Sequence, residues 1–230
     1  VAPVMPTSSM TFFVPDAAES DFTIAVEMYS GSAVIDWGDF GLTTTTAGGT
    51  FVAPSISNPS SHEYAESAGA VTVTVTGAVK RIQVSGSGVT EVLEFGEFEH
   101  YILNLPDLVD VPNALPLSVT SMQFMFNGAL VFNQDISGWN TSNVTNMHGT
   151  FQSALIFNQP IGSWDVSGVT TISFMFLNAR DFNQSIDGWD VGAVQFMQAT
   201  FYHAVDFNQS LASWDVSNVT NFQQTFQGAT

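Results

Sequence analysis

Phe132-Asn133-Gln134-Asp135-Ile136-Ser137-Gly138-Trp139, followed by Val144-Thr145-Asn146-Met147 and then by Phe151 and Ala154, is a pattern that the chain writes four times. The Phe-Asn-Gln triplet opens at Phe132, Phe157, Phe182 and Phe207, and a Trp follows each at Trp139, Trp164, Trp189 and Trp214, so the period is 25 residues. Self-similarity of fixed period marks a stack of small supersecondary units, none of which can bury its apolar face alone.

Spacing changes character within a unit. From Phe132 through Ile136 to Trp139 it fits a short strand and its turn, with Ile161, Ile186 and Leu211 in the Ile136 slot. From Val144 it turns helical, because Val144, Met147, Phe151 and Ala154 fall on one helix face, with Ser142 or Asn143 as N-cap. The expected unit is therefore one strand and one short helix, an α/β leucine-rich-repeat-like solenoid of 25-residue coils. Its core is expected to be Phe151, Phe176, Phe201 and Phe226 with Trp139, Trp164, Trp189 and Trp214. Stacked units about 4.8 Å apart superimpose Asn133, Asn158, Asn183 and Asn208 as a structural ladder. The Trp column reads equally as packing or as a carbohydrate platform. Asp165, Asp190 and Asp215, with Asn140 in the same slot, are less comfortable neighbours. Carboxylates about 5 Å apart repel by roughly 0.8 kcal/mol even in water. Capping of loop amides offsets this in one reading and bridging calcium in the other.

The repeat text Phe-Asn-Gln-x-Ile-x-x-Trp-Asp-Val-Ser-x-Val-Thr-x-Met-x-x-x-Phe-x-x-Ala resembles the bacterial surface protein repeat, known as DUF285 or BspA-like, over residues 119–230 and more weakly over 80–118. The resemblance implies a secreted or surface-anchored protein that works in adhesion or host interaction.

Upstream the chain alternates. Phe22, Ile24, Val26 and Met28 lie two apart, as do Val71, Val73 and Val75 among threonines, which predicts half-buried strands in an all-β sandwich. Val34-Ile35-Asp36-Trp37-Gly38-Asp39 and Ser61-His62-Glu63-Tyr64 resemble the polycystic-kidney-disease (PKD) type of immunoglobulin-like domain, although Phe40 stands where that family has a glycine. The resemblance implies an extracellular spacer and no catalysis. Asp36 and Asp39 read as turn caps or as a calcium pair. The expected division is an N-terminal segment at 1–9, the PKD-like sandwich at 10–79, irregular first turns at 80–118, and regular repeats at 119–230.

Composition narrows the partners. Three Lys plus Arg against 21 Asp plus Glu give a formal charge of −18, which disfavours nucleic acid and anionic lipid. Cysteine is absent, removing disulfides, thiolate metal sites and thiol nucleophiles. No apolar run reaches the roughly 18 residues that span a bilayer, so no membrane insertion is expected in this segment. The start at Val1 reads equally as a trimmed end or as one left by signal-peptide removal.

A catalytic constellation is not visible. Glu91, Glu94, Glu97 and Glu99 beside His100 read as a solvated acidic run, and His62, His100, His148 and His203 form no metal pair at helical spacing. The sequence therefore predicts no catalytic residues, no cofactor other than calcium in the alternative reading, and a non-enzymatic extracellular interaction protein. Its partner would be a protein, a glycan or copies of itself. Recognition is expected in slots that vary, as where His148-Gly149-Thr150 becomes Ser173-Phe174-Met175. The second reading is a structural assembly unit, such as a virion fibre, decoration protein or surface filament. It is motivated by Gln227-Gly228-Ala229-Thr230, which follows the last expected helix without a polar capping repeat.

Overall fold

Alternating Val and Thr in residues 71–76 cannot build an amphipathic helix but suits a strand with one face buried, and the β-branched side chains favour the pleated backbone. A computed structural model places this stretch in the middle of a sheet. The structure describes residues 8–14, 22–28, 32–36, 43–47, 50–52 and 71–229. Nine strands lie among them: β1 (Ser8–Val14), β2 (Phe22–Met28), β3 (Ser32–Asp36), β4 (Thr43–Ala47), β5 (Thr50–Val52), β6 (Val71–Gly77), β7 (Val79–Gly86), β8 (Glu91–Glu94) and β9 (His100–Asn104). One sheet runs β4-β3-β6-β1-β8 and the other β5-β2-β7-β9. All pairings are antiparallel except β7 with β9, where Arg81 faces His100 and Ile82 faces Tyr101.

That parallel pair begins the repeats. His100 bridges to Ser121, and the row continues through Asn146, Thr171, Phe196 and Asn221, one parallel bridge per coil. Beside β8, Glu91 bridges to Asp110 in the same sense. Each sheet thus hands its edge to the coils, and one continuous apolar core extends from Met10 to Phe207. Aromatic residues fill the join. Phe98 and Phe95 pack on Tyr101 at 5.4 and 4.8 Å, and Phe95 reaches Trp139 at 5.8 Å. Burial raises the Tyr101 hydroxyl well above its usual range, and that hydroxyl donates to the Gly96 carbonyl. A Cβ on Gly96 would lie 2.8 Å from the Phe98 ring and from the Ser9 carbonyl, so only glycine fits.

The helix expected after each Val144-type residue does not form, and the described residues contain no helix. Neither does the Phe132–Trp139 stretch form a strand. Backbone donors explain the first correction. Met147, Gly149, Phe151 and Ser153 donate to the next coil, at the carbonyls of Thr171, Ser173, Met175 and Leu177, over 2.7 to 3.0 Å. The residues between them turn inward: Thr150 donates to Met147, Gln152 to Gly149 and Ala154 to Phe151. An α-helix would send every one of these groups four residues back. Two left-handed residues per coil enforce the alternation, Gly149 (φ 62) and Ser153 (φ 59) here, Phe174 (61) and Asn178 (59) in the next coil, Ala199 (51) and His203 (54) after that. Thr, Asn, Gly and Ser fill much of this stretch and are poor helix formers, which lowers the helical alternative. The result is a ladder of tight turns whose outer amides tie one coil to the next.

Stacked aromatics fill the coils. Phe151 lies 4.0 Å from Phe157 and 5.8 Å from Phe176, and the arrangement returns as Phe176 with Phe182 at 4.0 Å and Phe201 with Phe207 at 4.1 Å. Trp139 stacks on Trp164 and Trp189 on Trp214, both at 6.4 Å.

Candidate functional site

The constant columns are occupied by the scaffold itself. Trp139, Trp164 and Trp189 are each 3% exposed, which leaves them no ring face for a sugar. Each indole N–H donates to a carbonyl of the preceding coil, Trp164 to Ile136 at 3.1 Å, Trp189 to Ile161 at 3.0 Å and Trp214 to Ile186 at 3.0 Å. Phe151, Phe176 and Phe201 are fully buried, whereas Phe226 in the last described coil is 51% exposed and Trp214 only partly covered.

The asparagines bond through backbone rather than amide to amide. Asn133 Oδ1 accepts the N–H of Asn158, Asn158 that of Asn183, and Asn183 that of Asn208, over 2.9 to 3.0 Å. The next glutamine joins the same oxygen, as Gln159 Nε2 does at 3.0 Å and Gln184 and Gln209 at 2.9 Å. A buried threonine column carries a role that the sequence reading missed. Thr150 Oγ1 is shared between Met147 and Met122 carbonyls, and Thr200 and Thr225 repeat the arrangement. The recurrence of Thr there was the available signal.

The aspartates each hold an amide two residues on. Asp165 Oδ1 accepts the Ser167 hydroxyl at 2.6 Å and its N–H at 3.0 Å, and these bonds lower the carboxyl below its ordinary value. Asp190 accepts from Gly192 and Asp215 from Ser217, with the Asp215 carboxyl lowered by its bonds to Ser217. Asn140 makes the same turn with Ser142. Asp36 closes β3 with an exposed side chain. Asp39 lies outside the described residues, as do Trp37, His62 and Tyr64. Among the described residues no three or more His, Asp or Glu side chains gather as a metal cluster.

Slots between Met147 and Phe151 point mostly inward, contrary to their reading as a recognition surface. Gly149 and Thr150 are buried, as are Ser173, Met175, Ala199 and Thr200. His148 remains half-buried between Phe124 and Phe174, with ring centroids at 5.0 and 5.1 Å, and burial lowers its pKa.

Exposed variation is found instead at the corner preceding each Phe-Asn-Gln. Leu130-Val131, Leu155-Ile156, Arg180-Asp181 and Val205-Asp206 share one slot of successive coils. The Asp181 N–H donates to Leu155 and the Asp206 N–H to Arg180, at 3.1 and 3.0 Å, so backbone geometry is kept while side chains change. Leu130, Val131 and Ile156 are 41, 47 and 39% exposed. Beside the charged half of this corner lies a groove of about 340 Å³ lined by Asn178, Arg180, His203 and Val205. A second cavity, about 240 Å³, sits where sheet meets coils and holds Glu27, Lys80, Arg81, Glu99 and His100. There Lys80 pairs with Glu27 at 3.7 Å, while His100 Nε2 meets the Gln123 carbonyl at 2.8 Å and burial lowers its pKa.

A family model described as "Mycoplasma protein of unknown function, DUF285" matches residues 110–205 and 160–230, together more than half the chain. The chain belongs to the DUF285 family. No curated protein and no solved structure matches it. The DUF285 match begins at residue 110, where Asp110 makes the first bridge from β8 into the coils.

Proposed function

We propose that this DUF285 protein is a non-catalytic interaction protein, displayed outside the cell or on its surface, whose coils form a solenoid that presents a variable corner to a protein or glycan ligand. The carrying observation is the division of labour within each coil. Phe, Trp, Asn and Thr columns are engaged in packing and hydrogen bonding, while the exposed corner at 130–131, 155–156, 180–181 and 205–206 changes from apolar to charged. The N-terminal strands would act as a PKD-like spacer of immunoglobulin type; their two sheets support that reading. Binding of the labelled chain to arrays of glycans and extracellular proteins tests the function. Saturable binding weakened by substitutions at the corner is expected, and binding insensitive to every corner substitution would refute it.

A second reading is structural assembly in a filament or on a virion through the amide row of the last described coil, which further coils of the same chain would equally cover. The N–H groups of Phe222, Gln224, Phe226 and Gly228 have no acceptor among the described residues, and Phe222 and Phe226 are 46 and 51% exposed. Their counterparts Met197, Ala199, Phe201 and His203 all donate to a following coil. Two such rows cannot pair with each other, because both offer donors, so assembly through this face needs a partner that presents carbonyls. Sedimentation that stays monomeric over a wide concentration range would remove this reading.

A further inference from the structure

We propose that the groove between Asn178 and Val205 binds the carboxylate of an acidic sugar, with Arg180 as its anchor. This rests on the interaction-protein reading and names the site and ligand class. The chain has three Lys plus Arg against 21 acids, and Arg180 is the one cation within the region matched by the family model. In so acidic a protein a guanidinium is expected to be engaged by a carboxylate, yet among the described residues none lies within 4.0 Å of Arg180. It is exposed at the rim of the groove. Asn178 and His203 occupy the same left-handed slot of adjacent coils, at φ 59 and 54, and both line the groove. The His203 ring is also held against Gly228, where a Cβ would come within 2.3 Å of Nδ1.

The lining chemistry selects the ligand class. A guanidinium fork matches a carboxylate through two parallel hydrogen bonds. The amide of Asn178 and the imidazole of His203 both donate and accept, as sugar hydroxyls require. Val205, 39% exposed, supplies an apolar wall for the C–H face of a pyranose and too little surface for a large apolar side chain. Asp181 and Asp206 flank Arg180 on the same corner. They disfavour polyanions of high charge density, so the ligand is a single carboxylate among hydroxyls. The junction cavity lacks this character, because Glu27 and Glu99 balance Lys80 and Arg81 within it.

The test is titration of the full chain with D-glucuronic and D-galacturonic acid, followed by amide and side-chain NMR shifts, with glucose, galactose and a short peptide bearing a free C-terminal carboxylate as parallel arms. Uronate is expected to shift Asn178, Arg180 and His203 resonances saturably, and neutral sugars to bind at least about tenfold more weakly. Arg180→Gln should lose about tenfold or more in uronate affinity with an unchanged melting curve, whereas Arg81→Gln should bind as the parent does. Uronate shifts that bypass the groove, equal binding by Arg180→Gln, or preference for the peptide would each overturn the proposal. Array binding that leaves the groove resonances unmoved would overturn it too while leaving the interaction reading intact, and a chain that binds nothing on any array would remove both.

Discussion

Phe176→Ala and Phe226→Ala make the same chemical change in the same column, so any difference between them measures stacking. Phe176 is fully buried, with Phe182 at 4.0 Å, Phe201 at 5.5 Å, Phe151 at 5.8 Å and Trp189 at 6.5 Å. Phe226 is 51% exposed and meets one ring, Phe201, at 5.3 Å. Truncating a buried Phe costs about 3–5 kcal/mol, because transfer free energy and an unfilled cavity add. At Phe226 half of the burial is already missing and solvent enters the gap, so about half of a roughly 2 kcal/mol transfer term remains, near 1 kcal/mol. The expected difference is at least about 2 kcal/mol. For a chain of this size each kcal/mol moves Tm by about 2–4 °C, so the internal variant should melt at least about 4 °C below the terminal one. Thermal melts by circular dichroism, paired with urea unfolding, provide the measurement. Equal losses would show that the last coil is as enclosed as the middle ones, and the nearest-neighbour account of stability would fail.

The asparagine ladder makes a similar comparison: Asn183→Ala removes the acceptor of the Asn208 N–H and the Gln209 amide and should cost roughly 1–2 kcal/mol in urea unfolding, whereas Asn208→Ala, whose Oδ1 accepts nothing among the described residues, should be nearly silent. Gly149→Ala should destabilise by clash, since its Cβ would lie 2.6 Å from the Phe124 ring, and Phe124→Ala in the same chain should recover part of the loss in a double-mutant cycle. His148 has its pKa lowered by burial, so the unfolded chain binds the proton more readily; its contribution is fully present above pH 6.5 and is lost as pH falls from there through the folded value. His148→Gln should therefore flatten the fall of Tm below pH 6.5 relative to the parent chain, and parallel curves would contradict the assignment.

The 25-residue period made the core columns legible, because superposition alone decides which residues meet. Strand placement was equally readable where apolar residues alternate, as in β2 and β6. Helix spacing misled for a physical reason. Val144, Met147, Phe151 and Ala154 are all buried, and a helix face would bury the same set. The pattern therefore records which residues face inward and not where their amides go. The left-handed pair at Gly149 and Ser153 was the discriminating feature, but Phe174, Ala199 and His203 occupy the same conformation without any residue signature. The groove was illegible for a related reason: Asn178, Arg180, His203 and Val205 converge only once the register between coils is known.

Register also explains how exposed side chains can change at one corner. Where the side chain is exposed, an amide that donates to the neighbouring coil fixes the backbone without fixing the residue, and at residues 181 and 206 that bond is kept while the slots around it change. Elsewhere a change must be matched in the neighbouring coil: at Gly149, whose slot holds Phe174 and Ala199 in the next two coils, a Cβ would strike Phe124, and at Gly162 it would lie 2.6 Å from the Ser185 carbonyl of the next coil. A stack held by outer amides can therefore exchange Leu130-Val131 for Arg180-Asp181 at one corner without disturbing Phe132 or Phe182 behind it. Under the proposed interaction role, ligand preference would be set coil by coil, by a pair of residues on an unchanged frame.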